Sequence, residues 1–478
     1  MDFTLLDWLI VAVYLVTCFG AGVYCRKFVG GVEDYLVAGR ALGVYLGIAT
    51  LAATEIGTVT FMYYAELGYK AGFAPFITAL IAGGVFLVIG RTGFIVEKLR
   101  ELKLLTVPEY CQHRYSRGVR ILMGLFVATG GILNMGLFLR VEGQFLTILT
   151  GIPGEYLVAV MVGILLLEMA YTVLGGMVSI AVTDFIQYVV LSTATLLISL
   201  TVIGKVGWGN LVSTVSSQFG PAGFDPIAHP EFGWTFIIWQ VLTWTAGNTC
   251  WQTTAMRVFA LRQPELSRRV YTWTGFIFLG RGMFPILWGI AALAVLGPGH
   301  DPVTAMPEFL HQLLGPGARG IVLAGMLAAT MSVNSAYLLG WSSIISQDII
   351  VPLRRKPLSE KAQMRVNRLA NVLVSLFIMF WGLFYQPPGA VYLYLQITGT
   401  MFLAGTFISV VAGLYWRRAS TLGAYAALVG GALGALGYLL LNLPANYSGF
   451  AAFGMAALGM LAGSLVLPSE PGPEEVAK

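Results

Sequence analysis

Apolar runs long enough to cross a bilayer recur from one end of this chain to the other, and no other feature restricts its fold so far. A helix needs about 20 predominantly apolar residues to span the hydrocarbon core. Windows of that kind fall at 5–25, 42–67, 73–92, 120–148, 155–173, 178–204, 234–256, 271–296, 320–347, 367–385, 390–414, 422–441 and 448–467. Backbone in lipid must satisfy its own hydrogen bonds, so runs of this length become helices. The expected fold class is an all-α polytopic membrane protein with about 13 transmembrane helices. Charged residues, 11% of the 478 positions, are too few to cover a soluble surface of this size.

The basic residues orient the spans. With the N-terminus outside, all but five of the 28 lysines and arginines fall in inner loops or the tail. The exceptions are Lys70, Lys205 and Arg319 in outer loops and Arg140 and Arg281 within spans. That bias predicts a cytoplasmic-membrane protein with its N-terminus outside and its C-terminus inside. Basic residues spread over short loops leave no nucleic-acid footprint. Asp2 and Asp7 precede the first apolar run and Arg26 and Lys27 follow it, so 5–25 reads as a retained span rather than a signal peptide. One transmembrane domain is expected over 1–467, and 468–478 reads as a disordered tail. Cys18, Cys25, Cys111 and Cys250 lack the spacing of a metal or redox motif.

Glu55 lies in the middle of the second window, in Leu51-Ala-Ala-Thr-Glu-Ile-Gly-Thr-Val-Thr60. A carboxylate at that depth costs roughly 2.5–3.5 kcal/mol on insertion scales and calls for a cation, a partner or a wet cavity. Gly57, Thr58 and Thr60 are weak helix formers, and threonine hydroxyls can take over freed backbone bonds. The stretch reads as a broken membrane helix, the device with which secondary transporters expose carbonyls to cations and substrates. A charge paired within the bundle for structure alone is the other reading.

Further along, Thr106-Val-Pro-Glu-Tyr110 with Arg114-Tyr115, Gly175-Gly-Met177, Ala181-Val-Thr-Asp184 with Gln187, and Ala328-Ala-Thr-Met-Ser332 with Ser342-Ser343 and Asp348-Ile349 occur in order. Together they resemble the sodium/solute symporter family, with its LeuT-type fold. The resemblance implies two inverted five-helix repeats, here at about 41–204 and 234–416, with accessory helices at 5–25, 422–441 and 448–467. Each repeat would open on a broken helix, the first at Glu55–Gly57 and the second around Ala246-Gly247-Asn248.

By motif, the resemblance also implies a sodium site made of the carbonyls of Ala53, Ile56 and Ala329 and the hydroxyl of Ser332. The residue after Ser332, usually a second hydroxyl, is Val333 here, and Glu55 is a substitute ligand or a proton carrier in its place. Sodium is favoured over a proton as the coupling ion, and no other cofactor is expected. Asp184 and Ser335 match a less general second cation position, incomplete because Ala336 follows. For Asp184 a structural pair, and for Ser332 a hydroxyl bonded back to its own helix, are the plainer alternatives.

For the solute, Arg140 in the fourth span reads either as a binder of a substrate carboxylate or as a structural partner of Glu55, Glu142 or Glu168. Gln240, Trp244, Asn248 and Gln252 recur every four residues and form one polar-aromatic stripe. Thr58, Thr60, Tyr64 and Gln396 are expected to complete a cavity for a small polar solute, a carboxylate or an amino acid. Arg281 and Glu168 have no assigned role at this level. His113, His229, His300 and His311 are scattered in loops and there is no phosphate-binding Gly-Lys-Ser/Thr, so an enzyme is not expected. The reading is a symporter working by alternating access, with a proton-coupled transporter using Glu55 or a transporter-like solute sensor as the alternatives.

Overall fold

The computed structural model describes residues 3–354, 356–385, 391–441 and 443–468. Arg355, the expected tail beyond Pro468 and its Lys478 lie outside the described residues. The regular elements among the described residues are all helices, joined by short loops, with one isolated bridge between Leu42 and Leu261. The chain starts with α1 (Leu5–Cys25), α2 (Val32–Val37), α3 (Val44–Glu55), α4 (Thr58–Ala71), α5 (Phe76–Thr92), α6 (Val96–Glu101) and α7 (Val107–Arg114). It continues through α8 (Arg117–Met135), α9 (Phe138–Thr150), α10 (Leu157–Lys205), α11 (Trp208–Phe219), α12 (Gly233–Cys250), α13 (Gln252–Phe259) and α14 (Leu266–Leu296). It ends with α15 (Ala305–Leu313), α16 (Ala318–Ile344), α17 (Val351–Leu353), α18 (Glu360–Phe384), α19 (Val391–Tyr415), α20 (Thr421–Leu441) and α21 (Ala445–Val466).

Seven of the described helices are long and apolar enough to cross a membrane, or eight with α3 and α4 taken as one bent span. The other windows fall on shorter or interrupted helices, which length and composition alone do not count as crossings. The two windows at 155–173 and 178–204 are the two helical halves of α10, which meet at a break at Gly176. There the backbone has φ 53 and ψ −148, and a Cβ would sit 2.4 Å from the carbonyl oxygen of Tyr35. Only glycine adopts that conformation without strain. Tyr35, on α2, donates its hydroxyl to the carbonyls of Thr172 and Val173 at 3.4 Å, so α2 is wedged into the turn. Gly176→Ala is expected to cost about 1–3 kcal/mol. A lowered melting temperature of the purified protein, followed by tryptophan fluorescence, checks it; an unchanged one refutes the wedge.

The first expected break is present. α3 ends at Glu55, Ile56 has φ −112 and ψ 81, and α4 restarts at Thr58 at an angle of 58°. Thr60 repairs the gap, accepting from the Gly57 N–H at 3.3 Å and donating to the Glu55 carbonyl at 3.4 Å. The second break is displaced from its expected place. α12 runs unbroken through Ala246, Gly247 and Asn248, and the chain becomes extended at Trp251 (φ −68, ψ 126) before α13. Tertiary partners set that position: the Trp251 indole donates to the Tyr337 hydroxyl at 3.2 Å, and Tyr271 donates to the freed Asn248 carbonyl at 2.7 Å. A single glycine inside a packed helix is not enough to open it.

α16 is the axis of the bundle, with 94% of its apolar window buried, packed by α10, α3, α8, α9 and α18. The family-like motifs tie its far end in place. Asp348 accepts from Thr106 at 2.8 Å and pairs with Arg120 at 2.7 Å, while the Gln252 carboxamide accepts from the Val107 N–H and donates to Ser343. Beside them the two broken helices are stitched together, since Leu42 N–H donates to the Ala260 carbonyl at 3.0 Å and Arg262 N–H to the Leu42 carbonyl at 3.1 Å.

Candidate functional site

The two breaks face each other across a cavity whose empty space, mouth included, is about 870 Å³. Its wall is built from the break residues Thr54, Glu55, Gly57 and Thr60 with Tyr63, from Trp244, Asn248, Trp251 and Thr254, and from single contributions of neighbouring helices. Those include Asn134, Phe138 and Glu142, Arg281 on α14, Val333 and Tyr337 on α16, and Tyr392 and Gln396 on α19.

Two charges of opposite sign dominate this wall. Glu55 accepts from Thr254 at 2.8 Å and from Thr253 at 3.3 Å. Arg281 is buried among rings, with its guanidinium carbon 4.7 Å from the Phe278 centroid and 5.2 Å from that of Trp244. Cation–π contact of this kind favours a desolvated guanidinium. Nη2 donates to Tyr63 at 3.2 Å and to Thr60 at 3.4 Å, while Nε and Nη1 have no partner. Unsatisfied donors on a buried cation are costly, and an anionic ligand would satisfy them. Among the described residues no ion pair joins Glu55 to Arg281.

Arg140, expected as the substrate cation, is not on the cavity wall. Phe138 and Glu142 share the cavity face of α9, and Arg140, two residues from each, is turned about 200° away. Nor does an ion pair link Arg140 to Glu55, Glu142 or Glu168 among the described residues. The polar stripe is also split. Trp244 and Asn248 reach the cavity, and Gln396 lies on its far side. Gln252 falls after the break, where the helical phase restarts, and is engaged by Val107 and Ser343 instead. Gln240 accepts from the Tyr392 hydroxyl at 2.7 Å. Thr58 donates to the Met326 carbonyl at 2.7 Å and is likewise turned away from the cavity.

At the expected sodium position, the Ser332 hydroxyl lies 2.9 Å from the Ala53 carbonyl and 3.0 Å from that of Ala329. Three oxygens thus converge beside the break, from two helices. The Ser332 hydroxyl donates within this group, partly to its own helix, as the plainer reading had it. Val333 packs into the break, its Cγ2 3.0 Å from where a Gly57 Cβ would be, so the missing hydroxyl is replaced by methyl groups. Thr54, next to Ala53, has a buried hydroxyl without a partner, an oxygen that sequence reading passed over.

The second cation position takes a different form. Asp184 accepts from the Thr50 hydroxyl and faces Arg257 Nη2 at 3.6 Å, both side chains buried. Ser335 donates back to the Ser332 carbonyl at 3.1 Å and makes no bond to Asp184. Arg257, expected in an inner loop, lies inside α13 with its guanidinium beside the Asp184 carboxylate. The roles of Arg257 and Arg281, and of Tyr63, Tyr337 and Tyr392, escaped the sequence. An arginine or tyrosine within an apolar window carries no mark of the face it occupies.

The family model described as sodium:solute symporter family matches residues 35–431. The sodium/pantothenate symporter of Escherichia coli (strain K12) is 27% identical, covering 91% of this chain and 91% of that protein. The sodium/glucose cotransporter of Vibrio parahaemolyticus is 24% identical, covering 89% and 83%. The sodium/proline symporter of Staphylococcus aureus (strain Newman) is 23% identical, covering 89% and 84%. Among solved structures, a sodium-coupled sialic acid symporter in a substrate-bound outward-open state superposes with a TM-score of 0.85 at 20% identity, over 98% of this chain and 100% of that one. A nucleobase-cation-symport-1 family transporter in a closed conformation gives 0.59 at 15% identity, over 91% and 95%. At these identities the structural likeness is one of fold.

Proposed function

Because the chain belongs to the sodium:solute symporter family, we propose that it couples sodium entry to uptake of a small carboxylate-bearing solute, held by Arg281 in the cavity between the two helix breaks. The observation that carries this reading is the pair of opposite charges, Glu55 and Arg281, on one wall without a bond between them. An amino acid satisfies both, its carboxylate on the Arg281 guanidinium, which has unpartnered N–H groups, and its ammonium on Glu55. Trp244, Tyr63 and Tyr337 supply an aromatic lining for its apolar part. Two of the relatives are named for proline and pantothenate, both carboxylates.

In this reading sodium sits against the carbonyls of Ala53, Ile56 and Ala329 and the Ser332 hydroxyl, next to the solute. A hard cation takes oxygen ligands, and an unwound helix offers them without desolvating a new group. The N-terminus is placed outside and the C-terminus inside, and the cavity opens alternately to the two sides. The test is a thermal-shift panel of amino acids, monocarboxylates and sugars, each in sodium and in choline, since ligands of the folded state raise its apparent stability. Carboxylates or amino acids should raise the melting temperature in sodium alone; a response confined to neutral sugars defeats the assignment of Arg281. Ser332→Ala should leave the fold intact and raise the half-saturating sodium concentration about tenfold, which is about 1.4 kcal/mol. An unchanged sodium titration would remove Ser332 from the ligand set.

A further inference from the structure

Glu142 on α9 and Glu168 on α10 converge on one residue of the axial helix. The Asn334 amide nitrogen donates to Glu142 Oε2 at 2.9 Å and to Glu168 Oε1 at 3.1 Å. The three are 1%, 0% and 2% exposed. Both N–H bonds of the amide are thereby used. Glu142 Oε1, Glu168 Oε2 and Asn334 Oδ1 are left without a partner, as is the hydroxyl of Thr172, one helical turn beyond Glu168. A buried polar group without a partner needs an explanation, and here four acceptor atoms fall in one cluster.

The charge count is just as incomplete. Two carboxylates this close in a low-dielectric interior cannot both stay ionised without a cation. Among the described residues no side chain forms an ion pair with either of them. Arg281 bonds Tyr63 and Thr60 through Nη2 and, among the described residues, forms no ion pair with Glu142 or Glu168, and Arg140 faces away. The groups that act on the pair are each other, Asn334 and Thr330, whose hydroxyl donates to Thr58. Of the elements packed on them, α18 has its charges, Glu360, Lys361, Arg365 and Arg368, near its start. α15 carries Glu308, bonded to His300, and His311, bonded to the Leu149 carbonyl. On α4, Glu66 is paired with Lys70, and on α2 Glu33 is paired with Arg40 while Asp34 accepts from Gly30. Neutralisation must come from outside the protein, and Glu142 opens onto the solute cavity.

We propose that Glu142, Glu168 and Asn334 form a second cation site, which takes from the cavity one proton and holds it between the two carboxylates. A metal ion fits less well, because the amide turns its N–H edge, not its oxygen, to both carboxylates. The site is separate from the one at Ser332: Asn334 lies two residues further along α16 and so faces the opposite way. Use of this proton in a transport cycle rests on the reading above, but its binding does not.

The test reads the site directly, on the purified full-length protein in lipid nanodiscs with no solute present. Infrared spectra with isotope-labelled glutamate should show the carbonyl stretch of a protonated carboxyl group at neutral pH. Glu142→Gln and Glu168→Gln should each abolish that band, because the proton is shared, while in Glu168→Gln, which is off the cavity wall, the sodium titration of the Ser332 site stays as in the parent protein. Glu142→Asp keeps the pair and should shift the band rather than remove it, which guards against a variant that fails to fold. The proposal is overturned if no protonated-carboxyl band appears from mildly acidic to mildly alkaline pH. It is also overturned if radioactive-sodium binding falls by one ion per chain in either Gln variant, which would make this a sodium site.

Discussion

Arg281→Ala is expected to abolish the sodium-dependent stabilisation by carboxylate-bearing solutes while leaving the response to sodium alone in place. Truncating one partner of a buried charged contact costs about 2–5 kcal/mol, a loss of affinity of about 30-fold or more. The guanidinium stands among Phe278, Trp244 and Tyr64, and two of its three nitrogens have nothing to bond. Arg281→Lys keeps the charge but not the planar fork, so it should recover only part of the loss. Thermal-shift titrations with each solute class check both variants. Equal losses for neutral and acidic solutes would make Arg281 a structural residue, and Arg140→Ala, on the outer face of α9, should be close to silent in the same assay.

Glu55→Gln should eliminate ion-coupled accumulation in proteoliposomes with little effect on the amount of folded protein. The amide preserves the volume and the acceptor for Thr254 and Thr253, so the break should hold its shape. What it removes is the negative charge facing the solute and the neighbouring cation position, between Arg281 and Arg257. Arg257 keeps Asp184 as a counter-charge, which is why the variant should still fold. Accumulation with the same sodium dependence as the parent protein would exclude Glu55 from coupling.

The first break was legible because its local chemistry and its tertiary role agree. A carboxylate followed by glycine and two threonines has no good helical solution in lipid, and Thr60 bonds across the gap as that logic requires. The second break was not legible, because Trp251 is an ordinary helix residue until Tyr337 engages its indole and Tyr271 the Asn248 carbonyl three residues before it. Misplacing it by a few residues also put Gln252 in the cavity, since a stripe every four residues holds only while the helix is continuous. Arg140 and Arg281 looked alike in the sequence, each a lone arginine in an apolar window. Which of them meets the solute depends on helix rotation, which only the packing of α9 and α14 settles. Glu142 and Glu168 are 26 residues apart, and nothing in that spacing announces that Asn334 will join them.

The reciprocal backbone bonds between Leu42 and the 260–262 segment have a mechanical corollary. They rivet the lead-in of one interrupted helix to the exit of the other, so these ends cannot swing independently. In the proposed cycle, opening or shutting the chamber would then move both as one piece, like two leaves of a hatch on a single spindle, and whatever steadies one leaf would steady the other.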